Sequence, residues 1–249
     1  ETQSELEKSR EHLLQSEKLA LVGKLAAGTS HSIRNPLTSV KMRLFSLSRS
    51  LDLDSNQKED FDVISKEISH IDTIVQNFLE FSRPPRLKFQ LVSPSDVVDQ
   101  AIQLLQHRLE SYEVFIKIQR KEPLPLVQLD SEQLKEVFIN VIINACEAMG
   151  QGGSIVIYEE AVIEPGKFRS AVIRISDNGP GIPDVVQSQI MEPFFTTKEE
   201  GTGLGLSIAS RIVQEHGGRL DIQSKEGNGS TFIITLPMEE SDREHHTDH

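Results

Sequence analysis

The chain has 249 residues, of which 37% are hydrophobic and 5% aromatic, with no Trp and a formal net charge of −12. That length suits one large or two modest domains with aliphatic cores, and the acidic balance excludes nucleic acid and anionic membrane surfaces as partners, since both reward clustered Lys and Arg. Cys146 stands alone, which excludes a disulfide framework and a thiolate metal cage and is expected of a reducing, cytoplasmic compartment.

The chain opens on Glu1, already in a helical pattern, as expected of a fragment whose upstream portion is missing. No signal peptide is visible, and no apolar run approaches the ~20 residues that cross a bilayer. A membrane is therefore expected only through that missing segment. Residues 1–50 read as one long helix, with 1–17 a linker helix. Its apolar or small positions Leu19, Val22, Ala26, Ile33, Leu37, Val40, Leu44 and Leu47 recur mostly at steps of three and four.

The polar stretch from Asp52 to Asn56 breaks that helix. A second follows, with Phe61, Ile64, Ile68, Ile71, Val75, Phe78 and Leu79 on its apolar side, and Ser82-Arg83-Pro84-Pro85 ends it. Two amphipathic helices joined by a short loop cannot bury their stripes alone. Residues 18–85 are thus expected to form a helical hairpin that completes a four-helix bundle as a homodimer.

After Pro85 short strands alternate with helices. Strands are predicted at 114–119, 126–129, 154–160, 170–176, 219–223 and 230–236, and helices at 94–109, 131–149, 184–190 and 203–217. Residues 86–238 therefore read as an α/β sandwich with helices on a mixed sheet. The charged tail, 239–249, reads as disordered.

On a helix turning about 100° per residue, His31 lies roughly 160° from Ile33, the centre of the apolar stripe, and so faces solvent. Asn35 sits four residues on, above it on the same face. An exposed, neutral imidazole on a rigid helix suits attack on a phosphorus atom, although the same placement describes an ordinary surface histidine. Pro36 removes a ladder bond and is expected to bend the helix.

Four later segments carry further chemistry. Glu136, Asn140 and Asn144 recur every four residues, so one face of an otherwise apolar helix presents a carboxylate and two carboxamides. That face suits a hard cation such as Mg²⁺, which takes oxygen ligands, or else buried amides that cap neighbouring backbone. Asp177-Asn178-Gly179-Pro180-Gly181 closes a strand. Its glycines let backbone approach a flat ligand while the carboxylate accepts a hydrogen bond; a simple turn is the alternative. Glu192-Pro193-Phe194-Phe195-Thr196-Thr197-Lys198 joins paired aromatics to hydroxyls and a lysine, a composition suited to a lid with a phosphate donor. Gly201-Thr202-Gly203-Leu204-Gly205 leads into an amphipathic helix, whose amide-rich N-terminus is an anion site. It is neither a P-loop nor a dinucleotide fingerprint.

His31-Ser32-Ile33-Arg34-Asn35-Pro36-Leu37-Thr38 resembles the H-box of sensor histidine kinases, usually His-Glu-Ile-Arg-Asn-Pro-Leu-Thr, and departs from it only at Ser32. In order and spacing, the four later segments resemble the N, G1, F and G2 boxes of Bergerat-fold (GHKL) ATPases, in the version found in those kinases. The resemblance covers about residues 18–238. It implies a dimerisation and phosphotransfer hairpin followed by a catalytic ATP-binding domain. His31 would take the γ-phosphoryl group of ATP on Nε2 and pass it to an aspartate of a response-regulator receiver domain. Asn35 would position water when that regulator is dephosphorylated.

In the ATP-binding domain the resemblance implies that Asn140 ligates Mg²⁺, Asn144 lies near the phosphates and Glu136 fills the family's acidic position. Asp177 would bind the adenine amino group, with Gly179 in the same turn and Gly181 against the ring. Residues 182–202 would form the ATP lid, and Gly201, Thr202, Gly203, Leu204 and Gly205 would cradle the triphosphate. Phe194 and Phe195 would dock the lid on the hairpin. Lys198 is read as a phosphate contact.

Ser32 stands where the family carries the carboxylate expected to take or orient the imidazole proton. General-base help is worth about 10²–10⁴-fold, so slow autophosphorylation is expected unless another group substitutes. The alternative is a core that acts mainly as a response-regulator phosphatase, or as an ATP-binding scaffold. A Bergerat ATPase that uses Glu136 to activate water would leave the H-box and the hairpin unexplained.

Overall fold

The structure, a computed structural model, describes residues 35–51, 53–82, 87–163, 169–198 and 201–238. Two compact units meet in sequence at residues 85 and 86. In the first, α1 is described over residues 35–50 and α2 spans Ser55–Ser82. The remainder of the long helix expected from the sequence, including His31 and Ser32, lies outside the described residues, as does the 239–249 tail.

The break between α1 and α2 is narrower than the polar stretch that predicts it, because Asp54 caps the second helix. Its Oδ1 accepts the Gln57 N–H at 2.8 Å, and Gln57 Oε1 accepts the Asp54 N–H at 3.1 Å. This reciprocal pair satisfies amides that would otherwise lack partners and draws Ser55 and Asn56 into the helix. α2 ends at Ser82, ahead of Pro84-Pro85. Ile68 is the one buried hydrophobic residue among those described in this unit, while Val40, Leu47, Ile64 and Ile71 of the apolar stripes stay more than 40% exposed.

The second unit runs β1 (Gln90–Val92), α3 (Pro94–Ser111), β2 (Val114–Gln119), β3 (Val127–Leu129), α4 (Ser131–Met149), β4 (Gly153–Ile163), β5 (Arg169–Asp177), α5 (Asp184–Gln187), α6 (Gly205–Glu215), β6 (Arg219–Ser224) and β7 (Ser230–Met238). Five strands form one mixed sheet in the order β2-β4-β5-β7-β6, and β1 and β3 pair separately. β2 and β4 run parallel; the other neighbours are antiparallel. β1 is absent from the sequence expectation, since a three-residue strand offers no period to read.

Capping sets where the helices begin. The Ser93 hydroxyl accepts the Ser95 N–H, with Pro94 in the first turn of α3. Asp130 Oδ1 accepts the N–H groups of Glu132 and Gln133 at the head of α4. α6 is shorter than the predicted 203–217, because Gly203 and Gly217 both have positive φ and lie outside the helix. α4 packs between α3 and α6. Its Val137, Phe138, Val141 and Ile142, spaced for one helical face, are fully buried with Ile155 and Ile157 of β4, Ile173 of β5 and Ile234 of β7, which alternate along their strands. Each such side chain stabilises the unit by about 1.5–3 kcal/mol.

Candidate functional site

α4 is the axis of the site. Glu136, Asn140 and Asn144 are partly buried on it, on one stripe as the spacing predicts. Gly205, the first residue of α6, faces the two carboxamides: a Cβ there would lie 3.5 Å from Asn140 Oδ1 and 3.7 Å from Asn144 Nδ2. The α6 N-terminus has no side-chain cap, so its first amides are directed beside two carboxamides. A helix terminus of this kind carries a partial positive charge suited to an anion.

The other end of α4 lies by the turn that closes β5. Asp177 is 9% exposed, and its Oδ1 accepts the N–H groups of Gly179 at 2.9 Å and Ser230 at 3.2 Å. Oδ2 takes no hydrogen bond from another described residue. Burial pushes the carboxyl above the usual aspartate range, and the backbone amides of Gly179, Ser230 and Asp177 itself pull it part of the way back. A Cβ at Gly179 would lie 3.2 Å from the Met149 side chain, which places this turn at the end of α4. Nine helical steps take Asn140 to Met149, about 14 Å at 1.5 Å per residue.

The turn rests on the β6–β7 hairpin. Gly181 sits against the Lys225 backbone, Gly227 N–H donates to the Pro180 carbonyl at 2.6 Å, and the Ser224 hydroxyl accepts the Ile182 N–H at 2.8 Å. Gly229 is buried beneath the Asp177 carbonyl, leaving no room for a Cβ. The sequence reading does not include Ser224, Gly229 or Ser230. The signal available was the Gly227-Asn228-Gly229 pattern ahead of a strand.

The described part of the segment expected as a lid carries α5 followed by turns. Phe194 N–H donates to the Gly203 carbonyl at 2.9 Å, with Phe194 at a φ of +67°. This non-glycine left-handed backbone is a local strain held by the contact with Gly203. Phe194 is half-exposed and Phe195 partly buried. Gly201 packs on Thr196, whose hydroxyl accepts the Lys198 N–H at 3.1 Å. Thr202 Oγ1 accepts the Leu204 N–H at 3.4 Å, and Leu204 is buried at the head of α6. Lys198 Nζ donates to Glu147 Oε2 at 2.5 Å and to Asn144 Oδ1 at 3.3 Å. Glu147 was also missed, although it stands one turn beyond Asn144 on the same stripe.

The structure thus brings together Asn140, Asn144, Lys198 and Gly201 to Gly205 beside the middle and C-terminal half of α4, and Asp177, Gly179 and Gly181 at its C-terminal end. Asn35 and Pro36 are exposed on α1.

Two family models cover most of the chain. Residues 129–240 match the histidine kinase-, DNA gyrase B-, and HSP90-like ATPase model, and residues 21–86 match the His Kinase A (phospho-acceptor) domain. Sensor histidine kinase ZraS of Escherichia coli (strain K12) is 34% identical over 92% of this chain and 48% of its own length. The chain spans about half the length, or less, of the curated relatives it matches. The catalytic domain of histidine kinase ThkA is 30% identical over 61% of this chain and 96% of that one, with a TM-score of 0.54. ThkA in complex with the response regulator protein TrrA is 29% identical over 96% of this chain and 68% of that one, with a TM-score of 0.64. The chain belongs to the sensor histidine kinases of two-component systems.

Proposed function

We propose that this chain is the catalytic core of its kinase: residues 86–238 bind ATP with Mg²⁺, His31 accepts the γ-phosphoryl group, and a response-regulator aspartate receives it from His31. The observation that carries the reading is the alignment along α4 of a carboxylate oxygen at Asp177 that takes no hydrogen bond from another described residue with the uncapped α6 terminus at Gly205. One end offers an acceptor for the adenine amino group, the other amide donors for phosphates, and the span between them suits an extended nucleoside triphosphate.

The donor set fits Mg²⁺ as well. Asn140 presents a neutral oxygen beside the phosphate end, and a cation bound by phosphate oxygens and water needs few protein ligands. When bound, Mg²⁺ neutralises charge on the phosphates. Asn144 and Lys198 flank the same end, and the amides from Gly203 to Gly205 hold the transferring group. Neutral His31 attacks through Nε2: the N–P bond forms as the bond to the β-bridging oxygen breaks, and ADP leaves with the electron pair. The imidazole then loses its Nδ1 proton to water, since Ser32 stands where the family carries a carboxylate.

The exposed stripes of α1 and α2 support a homodimeric bundle, which would cover Val40, Leu47, Ile64 and Ile71. Among the described residues no helix is long and apolar enough to cross a membrane, and the need for ATP puts this part of the chain on the cytoplasmic side. A complex of the similar ThkA with a response regulator supports a receiver domain as partner. Ser32 favours a second reading, in which phosphatase activity toward that regulator dominates. The test is label transfer from γ-labelled ATP: the reading expects label on the chain that a receiver domain removes, and none in Asn140→Ala. Normal labelling of Asn140→Ala would sink the Mg²⁺ assignment. A receiver that loses phosphate faster with the unlabelled chain than it gains label would favour the phosphatase.

A further inference from the structure

Lys198 is engaged in this ligand-free domain. Its ammonium donates to Glu147 and to Asn144, both on α4, and Asn144 also faces Gly205 at the head of α6. The lysine therefore lies between the two ends of the site, bound on its phosphate side to Asn144, with two of its three donors occupied. Its backbone is held in place too, between the Thr196 hydroxyl at 3.1 Å and the Gly201 N–H at 3.3 Å. Glu147 is a poor neighbour for a polyanion. It has a use there if its role is to hold the lysine until phosphates arrive.

We propose that Glu147 is a positioning residue that competes with the nucleotide's phosphates for Lys198, and so sets how strongly the site favours a triphosphate over the bare nucleoside. This rests on the nucleotide-binding reading above and deepens it. In the ligand-free domain Glu147 parks the ammonium on α4. A triphosphate at the α6 terminus offers several anionic oxygens in place of one carboxylate, and takes the lysine over. Both partners are about one-third exposed, and a pair so exposed shifts an equilibrium by only about two- to fivefold. The hold is thus weak enough to yield, and its strength is subtracted from triphosphate affinity alone.

The test measures binding of ATP with Mg²⁺ and of adenosine to the full chain, for the parent, Glu147→Gln, Lys198→Ala and the double variant. Adenosine binding should be equal in all four, which also reports that each is folded. ATP should bind about two- to fivefold more tightly to Glu147→Gln and more weakly to Lys198→Ala. In the Lys198→Ala background Glu147→Gln should change nothing, because no lysine is left to release. An ATP-binding parent whose affinity is unmoved by Glu147→Gln overturns the inference. So does an effect of Glu147→Gln that persists without Lys198, since that is plain repulsion between carboxylate and phosphate. A parent that binds neither ATP nor adenosine overturns the nucleotide-binding reading itself.

Discussion

Asp177 Oδ1 accepts the backbone N–H of Ser230 at 3.2 Å, across 53 residues of sequence. The end of β5 and the start of β7 are thereby joined through the carboxylate that the proposed adenine site requires. The bond occupies one oxygen of the pair. Removing the acceptor should cost what a hydrogen bond to a charged group is worth. Asp177→Ala is expected to weaken adenine-nucleotide binding by about 1.5–3 kcal/mol, roughly 10- to 150-fold, in a calorimetric titration.

The same carboxyl predicts a pH dependence. Burial raises its folded-state pKa above the ordinary aspartate value. Adenine's amino group bonds an ionised carboxylate more strongly than a protonated one, so affinity should fall as pH drops through that raised pKa. The loss should begin above the ordinary aspartate value of about 3.9. Titrations at stepped pH check this, and affinity that stays flat down to the ordinary range contradicts it.

Two glycines in one turn offer a paired test. Both Gly227 and Gly229 have positive φ, near 80°. A Cβ at Gly227 meets nothing within 4 Å, whereas one at Gly229 overlaps the Asp177 carbonyl. Gly227→Ala should cost only the left-handed backbone penalty, about 1–2 kcal/mol, and keep nucleotide binding. Gly229→Ala should displace Asp177 and lose it. Denaturant unfolding and nucleotide titration of the two variants separate these effects.

Away from the site, Glu159 is buried on β4, where it accepts the Ser95 hydroxyl and faces Arg120 at 3.3 Å; Arg120 also pairs with Asp99. Removing the arginine leaves a buried carboxylate without its cation, so Arg120→Ala should cost about 3 kcal/mol in denaturant unfolding. Burial raises the Glu159 pKa despite Ser95 and Arg120. Between the ordinary and the raised value, the folded chain holds a proton that the unfolded chain has released. Stability should therefore fall as pH rises through that window, and Glu159→Gln should flatten the slope.

Much of this was legible because the signals are local. α4 spans Ser131–Met149 as predicted: Asp130 caps it, its apolar positions keep one period, and Gly150 follows. The stripe of Glu136, Asn140 and Asn144 needs only the helical repeat. What escaped depends on contacts distant in sequence. β1 is a strand only because Gln90 to Val92 pair with Val127 to Leu129, and Ser230 serves Asp177 only because β5 and β7 are neighbours. Glu147 lies on a legible stripe, but its pairing with Lys198 crosses 51 residues.

His216 is another such link. Its Nε2 accepts the Asp130 N–H at 2.9 Å, which leaves Nδ1 protonated to donate to the Ile212 carbonyl at 2.7 Å. It thus ties the head of α4 to the end of α6, the two helices that carry the phosphate end of the site. His216→Ala leaves a buried amide unpaired and should destabilise the domain by about 1–3 kcal/mol. His216→Gln, which can still accept from Asp130, should lose less in the same thermal or denaturant melt.

The most direct measurement of the central claim is incubation with γ-labelled ATP and Mg²⁺, comparing the parent chain with His31→Ala and Ser32→Glu. Acid-labile label on the parent that vanishes in His31→Ala, and that forms faster in Ser32→Glu, is the predicted result. Label that survives in His31→Ala, or phosphate released without any label on either the parent or Ser32→Glu, would contradict the account.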